Sequence, residues 1–335
     1  MRAAVLSPVA WRTPPRHYGP WEQVASNIAE GLIKLGVDVT LFATGDSVTA
    51  GKLESICPQG YEEDRSYDAK VLECLHISNL MEKADEFDII HNNFDFLPLT
   101  YSRLVNTPTI TTIHGFSSPQ IIPVYKKYND TSNYVSISNS DRNPELNYLA
   151  TVYNGLNTAD FEFNEYPQDY LLYFGRIHPD KGTAEAIEIA RKSKRKLLIA
   201  GIVQDENYFK EKIEPQLNDD IAYIGSAGPE KRNALLGNAI GLLHPISFAE
   251  PFGLSVAESM LCGTPVIAFN KGSMPELIKD NETGFLVNHV DEAVGVIEEL
   301  KNLDRKICRT WAQSQFSCEK MANDYLKLYQ QILER

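Results

Sequence analysis

Residues 170–200 read YLLYFGRIHPDKGTAEAIEIARKSKRKLLIA, and this stretch decides the fold. Tyr170–Phe174 is an apolar run of strand length. A polar loop bounded by Gly175 and Gly182 follows it. Ala184–Arg191 then shows apolar residues at helical spacing, and Leu197–Ala200 is a second apolar run. Strand, loop, helix and strand in that order form a crossover unit, which joins parallel strands.

The same alternation extends in both directions. Toward the C-terminus, Ile221–Ile224, Gly241–Leu243 and Pro265–Ala268 read as strands. Tyr208–Leu217, Lys231–Leu236 and Leu254–Leu261 read as the helices between them. Toward the N-terminus, Ala3–Leu6, Val37–Phe42, Phe87–His91, Thr109–Ile113 and Tyr134–Ile137 read as strands. Glu22–Leu35 is the clearest helix there, with Val24, Ile28, Leu32 and Leu35 on one stripe and Gly36 as its stop. Strands alternating with helices predict an α/β protein whose parallel sheets carry helices on both faces. A chain of 335 residues suits two domains of about 150 to 170 residues each, with a cleft between them. The polar stretch 157–168 sets the expected division: a first domain over 1–160, a second over 161–316, and a terminal helix over 317–335.

Composition narrows the function classes. The net charge of −13 argues against a broad nucleic-acid surface and against docking on anionic lipid. The densest basic run, Arg191–Lys196, ends a helical pattern and reads as a solvated helix C-terminus. Five cysteines show no paired metal spacing and suggest reduced thiols in the cytoplasm. The apolar run after Met1 is too short for a secretion signal, and no stretch approaches the roughly 20 apolar residues of a membrane span. No His-Glu-x-x-His or Asp-x-Asp pattern occurs, so no metal or other cofactor is expected.

Ligands of open parallel sheets bind beyond the carboxyl ends of the strands, and the loops there carry the candidate chemistry. Arg176 and Lys181 share the loop after Tyr170–Phe174, where two cations can clamp a diphosphate. Glu250-Pro-Phe-Gly-Leu-Ser-Val-Ala-Glu258 brings two carboxylates to either side of an expected helix start at Pro251. The backbone N–H groups of Phe252, Gly253 and Leu254 would face an anion there. Gly19, in the loop after the first strand, permits close approach of backbone to a phosphate. His114 ends the strand Thr109–Ile113, and His91 ends its neighbour. Gly225, after Ile221–Ile224, can help wrap a base with backbone groups. Neither a Walker loop nor a Gly-x-Gly-x-x-Gly fingerprint is present.

Several of these loops, in order, resemble family 4 of the retaining glycosyltransferases. The matching residues are Gly175-Arg176 with Lys181-Gly182, the Glu250–Glu258 segment, Cys262–Ala268, Gly272 with Pro275-Glu276, and Gly284–Val287. Tyr18-Gly19, Glu22 and His114-Gly115 give a looser N-terminal match. The resemblance implies the GT-B fold, with two Rossmann-like domains facing a central cleft. The first domain would bind the acceptor, the second the nucleotide sugar, and the terminal helix would cross back to the first. It implies that Arg176 and Lys181 hold the donor diphosphate and that Glu258 binds the ribose. Glu250 would bind the transferred sugar, aided by the N–H groups of Phe252–Leu254. Gly19 would approach the phosphate and His114 would lie beside the sugar.

The expected reaction is therefore metal-independent transfer of a hexosyl group, with retention, from a donor such as UDP-glucose or GDP-mannose to an acceptor hydroxyl. The acidic surface favours a soluble saccharide or small molecule as acceptor, with no nucleic-acid partner and no stable membrane insertion. A nucleotide-sugar 2-epimerase of the same fold, or a binding-only homologue without activity, are the alternatives. One departure from the family pattern stands out: Pro20 and Trp21 follow Gly19 where a second glycine is common.

Overall fold

Strand β1 (Arg2–Leu6) is buried along Ala3–Leu6, and its side chains alternate between two cores. Ala3 and Val5 join one cluster, Ala4 and Leu6 the other. A strand buried on both faces needs a layer on each side, and the chain supplies helices for both. The computed structural model describes residues 1–16, 19–116 and 118–335. It divides into two units, Met1–Leu156 with Ser317–Arg335, and Asn157–Phe316.

The first unit continues with α1 (Pro20–Lys34), β2 (Asp38–Phe42), β3 (Lys52–Glu54), α2 (Ala69–Met81), β4 (Ile89–Asn92) and β5 (Thr109–Ile113). It goes on through α3 (Ile122–Lys127), β6 (Asn133–Ser136) and β7 (Tyr148–Thr151). Among the described residues these strands form one parallel sheet in the order β3-β2-β1-β4-β5-β6-β7. Helix α1 buries Val24, Ile28 and Leu32 as the spacing predicts, whereas Leu35 is exposed at the C-cap. Gly36, at φ 83°, ends the helix, and the Val37 N–H closes onto the Leu32 carbonyl at 3.1 Å.

The second unit runs β8 (Leu171–Phe174), α4 (Thr183–Ser193), β9 (Leu197–Ala200), α5 (Glu206–Tyr208), β10 (Ile221–Tyr223), α6 (Pro229–Asn238) and β11 (Gly241–His244). It then adds α7 (Leu254–Leu261), β12 (Val266–Phe269), α8 (Met274–Leu277), β13 (Gly284–Val287), α9 (Val290–Val296) and α10 (Arg305–Phe316). Its parallel sheet has the order β10-β9-β8-β11-β12-β13. A helical segment does occupy the stretch expected over 208–217, but it changes type along its length. After α5 the chain makes a π-type turn over Phe209–Ile213 and a tight turn over Glu214–Gln216. Pro215 in that last turn has no N–H to continue the ladder.

The last helix, α11 (Cys318–Leu333), belongs to the first unit. The division falls after Leu156 rather than at 160. Leu156 bridges Ser317, and its carbonyl accepts the Cys318 N–H at 2.9 Å. Gly31 lets α11 lie close on α1: a Cβ there would sit 2.7 Å from the Ala322 Cβ. Met321, Tyr325, Tyr329 and Ile332 join the same core as Val24 and Ile28. A buried polar chain pins the helix as well. His91 Nδ1 meets the Tyr329 hydroxyl and His91 Nε2 meets Thr112 Oγ1, each at 2.7 Å. Thr112 Oγ1 in turn meets the Tyr325 hydroxyl at 2.7 Å. His91 is thus an anchor for α11 rather than a ligand-binding group.

Burial holds three imidazoles of the first unit neutral. His76 is pushed down to about 4, and His91 and His114 to about 3, against an ordinary 6.5. The unfolded chain takes up protons that the folded unit refuses. This contribution to stability is complete above about 6.5 and is lost as the pH falls toward the folded values. Glu22, pushed up to about 7 by burial, works in the opposite sense between its ordinary 4.5 and 7, and Glu73 is raised by burial as well, but these are two carboxyls against three imidazoles. The melting temperature is expected to fall when the pH is lowered from about 7 to about 5. A thermal unfolding series that is flat or rises over that range would contradict the neutral-histidine account.

Candidate active site

In the second unit the strand order reverses beside β8, with β9 on one side and β11 on the other. Such a switch point is where an open parallel sheet leaves room for a ligand. The loop after β8 holds Arg176 and Lys181, and the loop after β11 holds Glu250. The structure brings Lys181 and Glu250 together: Nζ lies 2.5 Å from Oε2, with the side chains only 15% and 12% exposed. The Lys181 ammonium also lies 4.5 Å from the centre of the Phe248 ring.

Glycines make this meeting possible. Gly182 has φ 74°, and a Cβ there would lie 1.9 Å from the Pro245 carbonyl oxygen. The β8 loop is therefore pressed backbone to backbone against the end of β11. Gly272, after β12, does the same for the carboxylate side, since a Cβ there would meet the Glu250 backbone nitrogen at 2.3 Å. Ser273 completes that clamp. Its N–H donates to the Glu250 carbonyl at 2.9 Å, and its hydroxyl to the Phe252 carbonyl at 2.6 Å.

Arg176 does not join the Lys181–Glu250 pair. Its guanidinium bonds the Gln204 side chain, while its carbonyl accepts the Tyr173 hydroxyl at 2.8 Å. Gly225 stands after β10 at φ 77°, with open space where a Cβ would be, and its carbonyl accepts the Gly201 N–H at 3.0 Å. The helix expected from Pro251 starts three residues later. Gly253, at φ 91°, is the N-cap and Leu254 the first helical residue. Phe252 is buried before the helix, against Phe316. Leu254, rather than Phe252 or Gly253, carries the first N–H of the helical turn.

Glu258 lies one turn into α7 and is buried. Burial pushes its carboxyl up, and Arg232 opposes this from 2.9 Å. The guanidinium lies 5.1 Å from the centre of the Phe161 ring, and its Nε has no partner. Arg232 was not foreseen from the sequence, because a lone Arg on an amphipathic helix looks solvated. His244 was also missed. It is the last residue of β11, buried, with Nε2 at 3.8 Å from Glu250 Oε2.

In the first unit the order reverses between β1 and β4, and the loops there meet. His114 is buried, and its Nε2 donates to Asn93 Oδ1 at 3.0 Å while Nδ1 has no partner. Trp21 stacks on the imidazole with ring centres 5.9 Å apart. The residue that departs from the family pattern therefore covers His114. Gly19 is the N-cap of α1, and a Cβ there would meet Glu22 Oε2 at 2.9 Å. Glu22 is buried and accepts the Trp11 N–H at 3.2 Å. Tyr18 lies outside the described residues.

Residues 158–315 match the family model described as glycosyl transferases group 1. That match takes in just under half of the chain, all of it in the second unit. It is 33% identical over 169 residues to an uncharacterized 41.2 kDa protein of the cps region of Klebsiella pneumoniae, covering 48% of this chain and 45% of that one. The chain thus spans less than half the length of that relative. It is 24% identical over 301 residues to the GDP-mannose:cellobiosyl-diphosphopolyprenol alpha-mannosyltransferase of Komagataeibacter xylinus, covering 74% and 72%. The Anabaena HepE protein, solved with UDP and glucose, superposes with a TM-score of 0.74 at 18% identity, over 98% of this chain and 99% of that one. Both Rossmann-like units of the GT-B fold are therefore present. No helix among the described residues is long and apolar enough to cross a membrane.

Gly182→Ala is expected to destabilise the protein by about 1–3 kcal/mol, since the methyl group has no room against Pro245. The measurement is the urea midpoint. An alanine variant as stable as its parent would show that the β8 loop is not held there.

Proposed function

We propose that the chain transfers a hexosyl group from a nucleotide sugar to an acceptor hydroxyl, with retention at the anomeric carbon and without a metal ion. The observation that supports this best is the Lys181–Glu250 pair at the switch point of the second sheet. A cation to hold a diphosphate and a carboxylate to hold sugar hydroxyls stand side by side, as a nucleotide sugar requires. UDP-glucose and GDP-mannose are the leading donors. HepE was solved with UDP and glucose, and the Komagataeibacter relative is named for GDP-mannose.

In this reading Lys181 and Arg176 bind the two phosphates, with the N–H groups at the start of α7 adding partial positive charge. Glu258 accepts from the ribose hydroxyls. Glu250 accepts from the transferred sugar. Gly225 leaves room for the base, and Gly19 and His114 serve the phosphate and sugar from the first unit. The acceptor oxygen bonds to the anomeric carbon as the bond from that carbon to the phosphate oxygen breaks. The acceptor's proton passes to an oxygen of the departing diphosphate. The protein contributes position and stabilisation of the developing charge. A soluble saccharide or other small molecule is the proposed acceptor, in the cytoplasm.

Arg176→Ala and Lys181→Ala are each expected to lower nucleotide-sugar turnover roughly ten- to a hundredfold, through loss of about 1.5–3 kcal/mol of charged hydrogen bonding. Release of nucleoside diphosphate from UDP-glucose and GDP-mannose measures this, and a chelator such as EDTA should leave the wild-type rate unchanged. Parent-like turnover in both variants would remove the diphosphate clamp from the reading.

A further inference from the structure

Glu250 has a second neighbour besides Lys181. His244 closes β11, paired in register with Ala268 of β12, and the strand's end fixes where its side chain goes. The side chain is only 9% exposed, and its Nε2 has no hydrogen-bond partner. That nitrogen lies 3.8 Å from the same Oε2 that receives Lys181 Nζ at 2.5 Å. Burial lowers the imidazole to about 4, with Glu250 pulling it up and Lys181 pushing it down. It is therefore neutral near pH 7, with one N–H to give. In the tautomer protonated at Nε2 that N–H is a buried donor without an acceptor, and a carboxylate oxygen less than 1 Å beyond bonding range is its natural partner.

Diphosphate binding changes this balance. On the reading of Lys181 and Glu250 given above, an incoming diphosphate draws the Lys181 ammonium toward its own oxygens. Glu250 then loses its only bonded cation while still largely buried. A buried carboxylate needs hydrogen-bond donors to stay charged. We propose that His244 is a positioning residue that takes over Glu250 from Lys181 when the donor binds, its Nε2–H bonding Oε2 and aiming the other carboxylate oxygen at the sugar hydroxyls. The lysine then serves the phosphates and the histidine holds the carboxylate. His244 acts through Glu250 on recognition of the sugar and has no part in holding the nucleotide.

The test uses the full chain, with UDP, GDP, UDP-glucose and GDP-mannose as probes. His244→Leu should bind the nucleoside diphosphate within about twofold of wild type, while kcat/KM for the nucleotide sugar falls roughly ten- to thirtyfold. His244→Gln carries an amide N–H at similar reach and should recover most of that loss. In wild-type protein labelled with 15N-histidine, the His244 Nε2 resonance, assigned by its absence in His244→Gln, should shift toward the hydrogen-bonded position on saturation with the nucleotide sugar. A wild-type protein that binds none of the probes overturns the parent reading and this one with it. Normal wild-type turnover with an unaffected His244→Leu overturns this proposal alone. So does loss of nucleotide binding and stability in both variants, which would make His244 a packing residue. An unmoved Nε2 resonance in the saturated wild-type protein overturns it even if His244→Leu fails to fold.

Discussion

The second unit is organised around one ion pair, Lys181 with Glu250, drawn from loops after neighbouring strands and largely removed from water. Burying two charges is costly, and their attraction repays the desolvation only when the geometry is good. Such a pair is therefore a poor choice for stability alone. Yet the chain gives up side chains to keep it. Gly182 and Gly272 press two loops into backbone contact on either side of the pair. That expense of conformational freedom is understandable if both charges must sit at the sheet's switch point for a ligand that carries phosphate at one end and hydroxyls at the other.

The two units differ in what they set beside their buried carboxylates. In the second unit both site carboxylates keep a cation within reach, Lys181 for Glu250 and Arg232 for Glu258. In the first unit burial without a counter-charge raises Glu22 and lowers His91 and His114, so all three favour the neutral form. A charged, paired set suits a polyanion, because phosphate can take a lysine from its carboxylate partner.

Much of this was legible in the sequence, for identifiable reasons. Strands such as Ala3–Leu6 and Leu197–Ala200 are continuous apolar runs because both faces of their sheets are covered. Lys181 and Glu250 were found by looking past strand ends. The same rule would have found His244 had β11 been read one residue longer; a histidine interrupts the apolar run and hid the strand's last residue. Strands β3 and β7 were missed because they are short edges with little burial, and α2 because Val71 and Leu75 are exposed and blur its stripe. The helix start at Pro251 was misplaced for a different reason. Proline suits a first turn, but Gly253 at φ 91° reverses the chain between Pro251 and α7.

That misplaced start has a chemical meaning. Because α7 begins at Leu254, Glu250 lies on the loop before the helix while Glu258 is fixed one turn inside it. Glu258 is held by the helix backbone and by Arg232, so its carboxylate has one place to be. Glu250 depends on side-chain partners for its direction, Lys181 in the free protein and His244 beside it. In the proposed reading, the rigid carboxylate faces the part of a donor that never varies, the ribose, and the adjustable one faces the part that does, the sugar. On that reading a different sugar would call for changes around the loop carboxylate and not within the helix.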